Sequence, residues 1–190
     1  MTKFLLLLGP SGVGKTSIIE DLINIDKRFF YISPYMTRPL RNGEKNKISI
    51  SGRKMDQMQK QGKFLTINYL YGISYATPRL PIIQALNQNK FPVLDWPISQ
   101  IDIMKENFPN QLYVVYVSPP SIEILQKRIA KDGRDSDGSR LEQAKNELEF
   151  YWSSRYTEVC DFEVIAKEDQ VEETANVIYF AYLKSLTPQL

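Results

Sequence analysis

Five consecutive apolar residues, Phe4 to Leu8, run directly into Gly9-Pro10-Ser11-Gly12-Val13-Gly14-Lys15-Thr16. An apolar run this short, closed by a Gly-rich turn, reads as a strand buried on both faces. Ile18, Ile19, Leu22 and Ile23 follow at helical spacing and predict a helix from about Lys15 to Asn24. The turn between them fits G-x-x-x-x-G-K-[ST]. Glycines there let backbone amides point inward around an anion, and the helix N-terminus adds its partial positive charge. Gly9, Ser11, Gly12, Val13, Gly14, Lys15, Thr16 and Ser17 are the expected nucleotide cradle. In it Lys15 reaches the β- and γ-phosphates and the Thr16 hydroxyl ligates a metal, so ATP and Mg²⁺ are the expected cofactors.

The rest of the chain repeats the alternation. Strands are predicted at Phe29–Ile32, Pro92–Asp95, Leu112–Val117 and Phe162–Ala166. A helix starts near Ser121 with Ile122, Leu125 and Ile129 on one face. Another carries Leu141, Ala144 and Leu148, and a third carries Val171, Thr174, Ala175, Ile178 and Tyr182. Strands alternating with helices imply an α/β, three-layer P-loop fold: a parallel sheet with helices on both faces. Asp95 ends the run Phe91 to Leu94, where it can lie beside the loop and hold the metal through water, or serve as a cap or turn residue. The stretch from about Tyr35 to Pro81 is rich in turn formers and basic residues and reads as an inserted lobe. Asp132 to Ser139 reads as a mobile loop, or as a plain solvated turn. The chain is thus one domain, with a core of 1–33 and 82–190, a lobe at about 34–81 and a short lid at about 128–140.

Composition narrows the chemistry. The 190 residues include no histidine and one cysteine, Cys160. Histidine-based hydrolysis, histidine metal sites, an internal disulfide and a cysteine zinc cluster are all excluded. Catalysis must run on Lys, Arg, carboxylates, hydroxyls and backbone amides. A net charge of +2 is too weak to argue for nucleic acid or an anionic membrane. The N-terminal apolar run lacks the flanks of a signal peptide, so a cytoplasmic setting is expected.

The segment Leu8 to Thr16 resembles the start of guanylate kinases. The resemblance continues through Thr37-Arg38-Pro39-Leu40-Arg41-Asn42-Gly43-Glu44, which is similar to that family's T-R-x-x-R-x-G-E. It is weaker at Ser74-Tyr75-Ala76-Thr77, Val93-Leu94-Asp95 and Ser118-Pro119-Pro120-Ser121. Lys127-Arg128-Ile129 and Arg140-Leu141 resemble the lid. Order and spacing hold from about residue 3 to residue 183. What the resemblance implies is a P-loop core, an acceptor-binding lobe and a lid, serving phosphoryl transfer from Mg-ATP to a small phosphorylated acceptor, in a monomer or homodimer. Arg38, Arg41 and Tyr75 would hold the acceptor phosphate and Thr77 would supply a hydroxyl. Two arginines three apart can clamp a phosphate with forked donors; the alternative is two solvated arginines on a polar turn. Arg128, Arg134 and Arg140 are candidates to neutralise the transferring group, with Lys15 and Arg38 completing the catalytic set.

The chain departs from that pattern where guanine is read. Pro34 stands where the family has a serine, Thr66 where it has a glutamate and Pro97 where it has a second acidic residue. Ile50 replaces a phosphate-binding tyrosine. Guanine offers N1–H and N2–H₂ donors, which want carboxylate partners, so discrimination for guanine is expected to fall. Tyr35-Met36-Thr37-Arg38, Asn46 to Ser51 and Gly133-Arg134-Asp135-Ser136 are also similar to ribose 1,5-bisphosphate phosphokinases. A genuine guanylate kinase, such a phosphosugar kinase, and a non-catalytic guanylate-kinase-like binding module remain the alternatives.

Overall fold

The computed structural model describes residues 2–41, 43–70, 72–133, 135, 138–153 and 158–187. Its centre is β1 (Phe4–Leu8), all five residues buried, as the unbroken apolar run requires. β1 pairs in parallel with β7 (Phe91–Asp95) on one side and β8 (Leu112–Ser118) on the other. β2 (Phe29–Tyr31) and β9 (Phe162–Ile165) complete a five-stranded parallel sheet of order β2-β7-β1-β8-β9. All five strands stand where the sequence pattern places them, within a residue at each end.

Helices flank this sheet. α1 (Lys15–Ile25) buries Ile18, Ile19 and Leu22 and lies against α7 (Val171–Leu186), which buries Ala175, Ile178 and Tyr182. α5 (Ile122–Asp132) starts at Ser121, whose hydroxyl accepts from the Ile124 amide at 3.3 Å. It ends at Gly133, whose φ of 67° closes the last turn. α6 (Ser139–Ser153) presents Ala144, Leu148 and Tyr151 inward, and the Tyr151 ring stacks on Tyr116 of β8 at 3.5 Å. Phe150 and Trp152 on the same helix are exposed, so only one of these neighbouring aromatics packs in the core. No helix among the described residues is long and apolar enough to cross a membrane.

The segment between β2 and β7 builds a second sheet of order β4-β3-β6-β5, from β3 (Tyr35–Met36), β4 (Ile48–Ser49), β5 (Phe64–Leu70) and β6 (Ile73–Pro78). α2 (Gly52–Lys60) covers one face of it, capped by Ser51, and packs Met55 against Phe64 and Ala76. Burying a Met and a Phe is worth about 1.5–3 kcal/mol each. Ordering roughly 45 residues costs far more, so this lobe depends on its attachment to the core. α3 (Arg79–Asn87) leads from β6 back to β7, and α4 (Ile101–Asn107) fills the next crossover.

Candidate active site

The loop after β1 is shaped by close approach and by positive φ. Gly9 sits at φ 129°, where a Cβ would run into the carbonyl oxygen of Val117 on the neighbouring strand. Gly14 caps α1 at φ 108° with open space around it. No acidic residue occupies the first turn of α1, so the helix's own side chains do not offset its positive end. Lys15 Nζ donates to the carbonyls of Gly9 and Pro10, the latter at 3.0 Å, which holds the ammonium over the loop. Thr16 and Ser17 are exposed at the helix start.

Asp95 reaches the loop through strand register. It pairs with Leu7, two residues before Gly9. The Tyr31 hydroxyl donates to Asp95 Oδ1 at 3.0 Å. Burial, reinforced by the Asp95 charge, pushes the Tyr31 phenol well above its ordinary range and keeps it a donor. One carboxylate oxygen is thereby fixed at the end of β7.

The lid arginines divide. Arg140 Nη2 donates to Ser11 Oγ at 3.0 Å, while Nη1 bridges to Asp132 at 2.8 Å. Asp135 accepts from the Arg140 and Leu141 amides at 2.8 and 3.2 Å and so starts α6 at the mouth of the loop. Arg128 lies in the body of α5, and its guanidinium donates to the carbonyls of Val13, Ala166 and Lys167 at 3.1–3.2 Å. It ties the loop to the segment that follows β9. Arg134 and Tyr156 lie outside the described residues. A cleft of about 230 Å³ adjoins the loop, lined by Val13, Gly14, Arg128, Ala166, Lys167 and Thr174.

In the lobe, cross-strand pairing sorts the side chains by face. Ile67 pairs with Ala76, and both belong to the apolar cluster under α2. Thr66 pairs with Thr77 and Asn68 with Tyr75, so these four share the opposite face. The irregularity between Phe64 and Thr66 lets Phe64 stay in the cluster while Thr66 faces away. Ile50 packs into the same cluster, an apolar place rather than a phosphate contact. The Thr66 hydroxyl donates to Asn68 Oδ1 at 3.3 Å. Pro34 is buried, and Pro97 opens the short 3₁₀ turn Ile98–Gln100.

Arg38 sits beside this face, its side chain 12% exposed. Nη1 and Nη2 donate to Glu44 Oε2 and Oε1, both at 2.7 Å. The Arg38 hydrogen bonds, helped by the Arg41 amide, hold the Glu44 carboxyl down at about 2 against the opposing effect of burial. The Tyr75 hydroxyl interacts with the same guanidinium. Lys47 Nζ lies 5.5 Å from the centre of the Tyr75 ring. Arg41 is exposed on the adjoining turn, and its amide donates to Glu44 at 3.0 Å.

Four contributors were not singled out by the sequence pattern, and the role of Glu44, present there only as the end of a motif, was not either. Tyr31 and Lys47 enter through turns and register that spacing does not reveal. Asn68 carried a legible signal, since it stands two residues after Thr66 on a strand and must share its face. Glu147 on α6 joins the loop's surroundings electrostatically: burial raises its carboxyl, and the charge of Lys15 opposes the shift.

A parallel sheet with this phosphate loop, a lobe carrying paired arginines and a lid arginine on the loop defines a P-loop kinase, a phosphotransferase. The sequence model of guanylate kinases matches residues 1–181, and the chain belongs to the guanylate kinase family. It is 33% identical over 153 residues to a guanylate kinase of Nostoc sp., covering 77% of this chain and 76% of that one. It is 30% identical over 186 residues to a guanylate kinase of Clostridium tetani, covering 94% and 86%. The solved guanylate kinase of Anaplasma phagocytophilum superposes with a TM-score of 0.75 at 19% identity, over 99% of this chain and 88% of that one.

Proposed function

We propose that the protein transfers the γ-phosphoryl group of Mg-ATP to a small phosphate-bearing acceptor, a nucleoside monophosphate or phosphosugar, with weak discrimination for guanine. The observation that carries this reading is the composition of the lobe's open face. A cationic corner of Arg38, Arg41 and Lys47 stands beside Thr66, Asn68, Tyr75 and Thr77, which are all uncharged. The corner suits a phosphate, and the neutral side chains offer no carboxylate to guanine's N–H donors.

ATP and Mg²⁺ supply the transferable group and the shielding of its charge when bound. The donor set fits: a threonine hydroxyl at the start of α1, and a carboxylate at the end of β7 with one oxygen already fixed by Tyr31. Among the described residues no three His, Cys, Asp or Glu side chains gather to cage a metal, which suits an ion held mainly by phosphate oxygens and water. In this reading Lys15 and Arg140 neutralise charge at the mouth of the loop and Arg128 braces the loop from behind. The cleft beside Val13 and Gly14 takes the nucleotide base. An acceptor oxygen that is already ionised needs no general base, so alignment and charge neutralisation carry the rate.

A second reading is transfer specific to GMP. The curated relatives bear the name guanylate kinase at 30–33% identity over most of the chain, which puts GMP first among acceptors to try. ADP release from Mg-ATP with GMP, AMP and phosphosugars separates the readings. Arg38→Ala and Arg41→Ala test the clamp: each should raise the acceptor KM far more than the ATP KM. A raised ATP KM with an unmoved acceptor KM refutes the placement.

A further inference from the structure

A guanidinium has two edges that can grip an anion: the end formed by both Nη atoms, and the side formed by Nε and one Nη. In Arg38 the end edge is occupied by Glu44 through two 2.7 Å bonds, and Nη1 also donates to the Pro39 carbonyl at 2.8 Å. Glu44 Oε2 accepts in addition from the Arg41 amide, so the carboxylate is fixed to the turn that carries both arginines. The side edge differs. Arg38 Nε is fully buried and has no hydrogen-bond partner among the described residues. The Tyr75 hydroxyl interacts with the guanidinium, and Lys47 stands over the Tyr75 ring. A buried guanidinium N–H without an acceptor is an unusual state, and a tetrahedral oxyanion supplies what it lacks.

We infer that Glu44 is a positioning residue: by gripping the end edge of Arg38, it presents the Nε edge to the acceptor's phosphate beside Tyr75. This rests on the reading that Arg38 faces the acceptor. Glu44 then does not compete with the substrate. It spends the donors that the substrate does not use and fixes the plane of those that it does. A competing arrangement, in which Glu44 blocks the clamp until the acceptor displaces it, predicts the opposite sign for its removal.

The test uses the intact chain and two probes that share a sugar phosphate, GMP and ribose 5-phosphate. Binding is read by calorimetry, and turnover by ADP release at saturating Mg-ATP. Glu44→Gln keeps the shape but loses the charge and one acceptor oxygen. Its affinity for whichever probe the wild type binds should fall about tenfold or more, as expected when a charge-assisted fork loses its aim. ATP KM should stay within about twofold, and kcat should fall less than acceptor affinity, because this corner faces the acceptor rather than ATP. Ser49→Ala removes another bond of the same turn, the 2.7 Å bond from Ser49 Oγ to the Arg38 carbonyl. It should leave acceptor affinity unchanged, which separates aim from general loosening. Unchanged or tightened binding in Glu44→Gln overturns the inference, and tightening favours the blocking arrangement. If Arg38→Ala weakens binding and Glu44→Gln does not, the inference falls and the acceptor reading stands. If neither probe binds the wild type, or Arg38→Ala has no effect, both fall.

Discussion

Gly9 and Gly14 are both held at positive φ, but only Gly9 is pressed against a neighbour, and that difference fixes the cost of filling each. At Gly14 a methyl group meets nothing within 4 Å, so Gly14→Ala carries backbone strain alone, about 1–2 kcal/mol. At Gly9 the same strain applies, and the new Cβ collides with the Val117 carbonyl oxygen and lies 3.2 Å from its carbon. Val117 cannot retreat freely, because it is paired to Val164 of β9 on one side while its neighbour Tyr116 is paired to Leu8 of β1 on the other. Forcing a methyl into a packed site adds about 1–3 kcal/mol, which brings Gly9→Ala to about 2–5 kcal/mol in all. For a chain of this size each kcal/mol lowers Tm by about 2–4 °C. Urea and thermal unfolding of the two variants should therefore rank Gly9→Ala below Gly14→Ala by at least about 1 kcal/mol. Equal losses, or a larger loss at Gly14, would refute the claim that contact between the loop and β8, rather than φ alone, requires glycine at the first position of the loop.

Lys15→Ala should cut turnover by about a hundredfold or more while leaving thermal unfolding near normal, because the ammonium serves developing charge and not the core; near-normal ADP release would remove it from the chemistry. Thr66→Glu places a carboxylate on the open face opposite Thr77. It should raise the GMP-to-AMP ratio of kcat/KM by about tenfold or more, and an unmoved ratio would mean that the base lies elsewhere. The Glu44 carboxyl, held at about 2 against an ordinary 4.5, contributes stability that is complete above about pH 4.5 and is lost as the pH falls towards 2. The stability gap between wild type and Glu44→Gln should stay constant above pH 5 and close below it; a gap that widens in acid would contradict the ion pair.

The phosphate loop was legible because its glycines, lysine and hydroxyl are fixed by spacing along the chain. The five strands of the main sheet were legible chiefly because β1, β7 and β8 are apolar up to their last residues, Asp95 in β7 and Ser118 in β8, and each is followed by turn formers. Ser121 and Gly133 mark the ends of α5 by chemistry that acts within a few residues. α2 was not legible: Met55 is its one fully buried residue in an otherwise polar stretch, and the helix exists because the lobe's sheet needs a cover. The candidate site divides in the same way. Arg38 and Arg41 could be picked out by their motif, but the grip of Glu44 depends on how the turn folds back. Arg128 has the chemistry of a phosphate ligand in the sequence, and only the approach of Val13, Ala166 and Lys167 gives its donors to carbonyls. Tyr31 meets Asp95 across 64 positions of sequence, through the pairing of β2 with β7.

In the proposed reading the acceptor is held by its phosphate while its base goes largely unread. This reading is tested most directly by steady-state kcat/KM for GMP, AMP and ribose 1,5-bisphosphate with saturating Mg-ATP. GMP should exceed the best of the others by less than about tenfold, since Thr66, Asn68, Tyr75 and Thr77 on the open face offer guanine's donors no carboxylate. A GMP efficiency near about 10⁶ M⁻¹s⁻¹, well within the ordinary enzyme range, combined with strong rejection of AMP would contradict it and make GMP the dedicated acceptor.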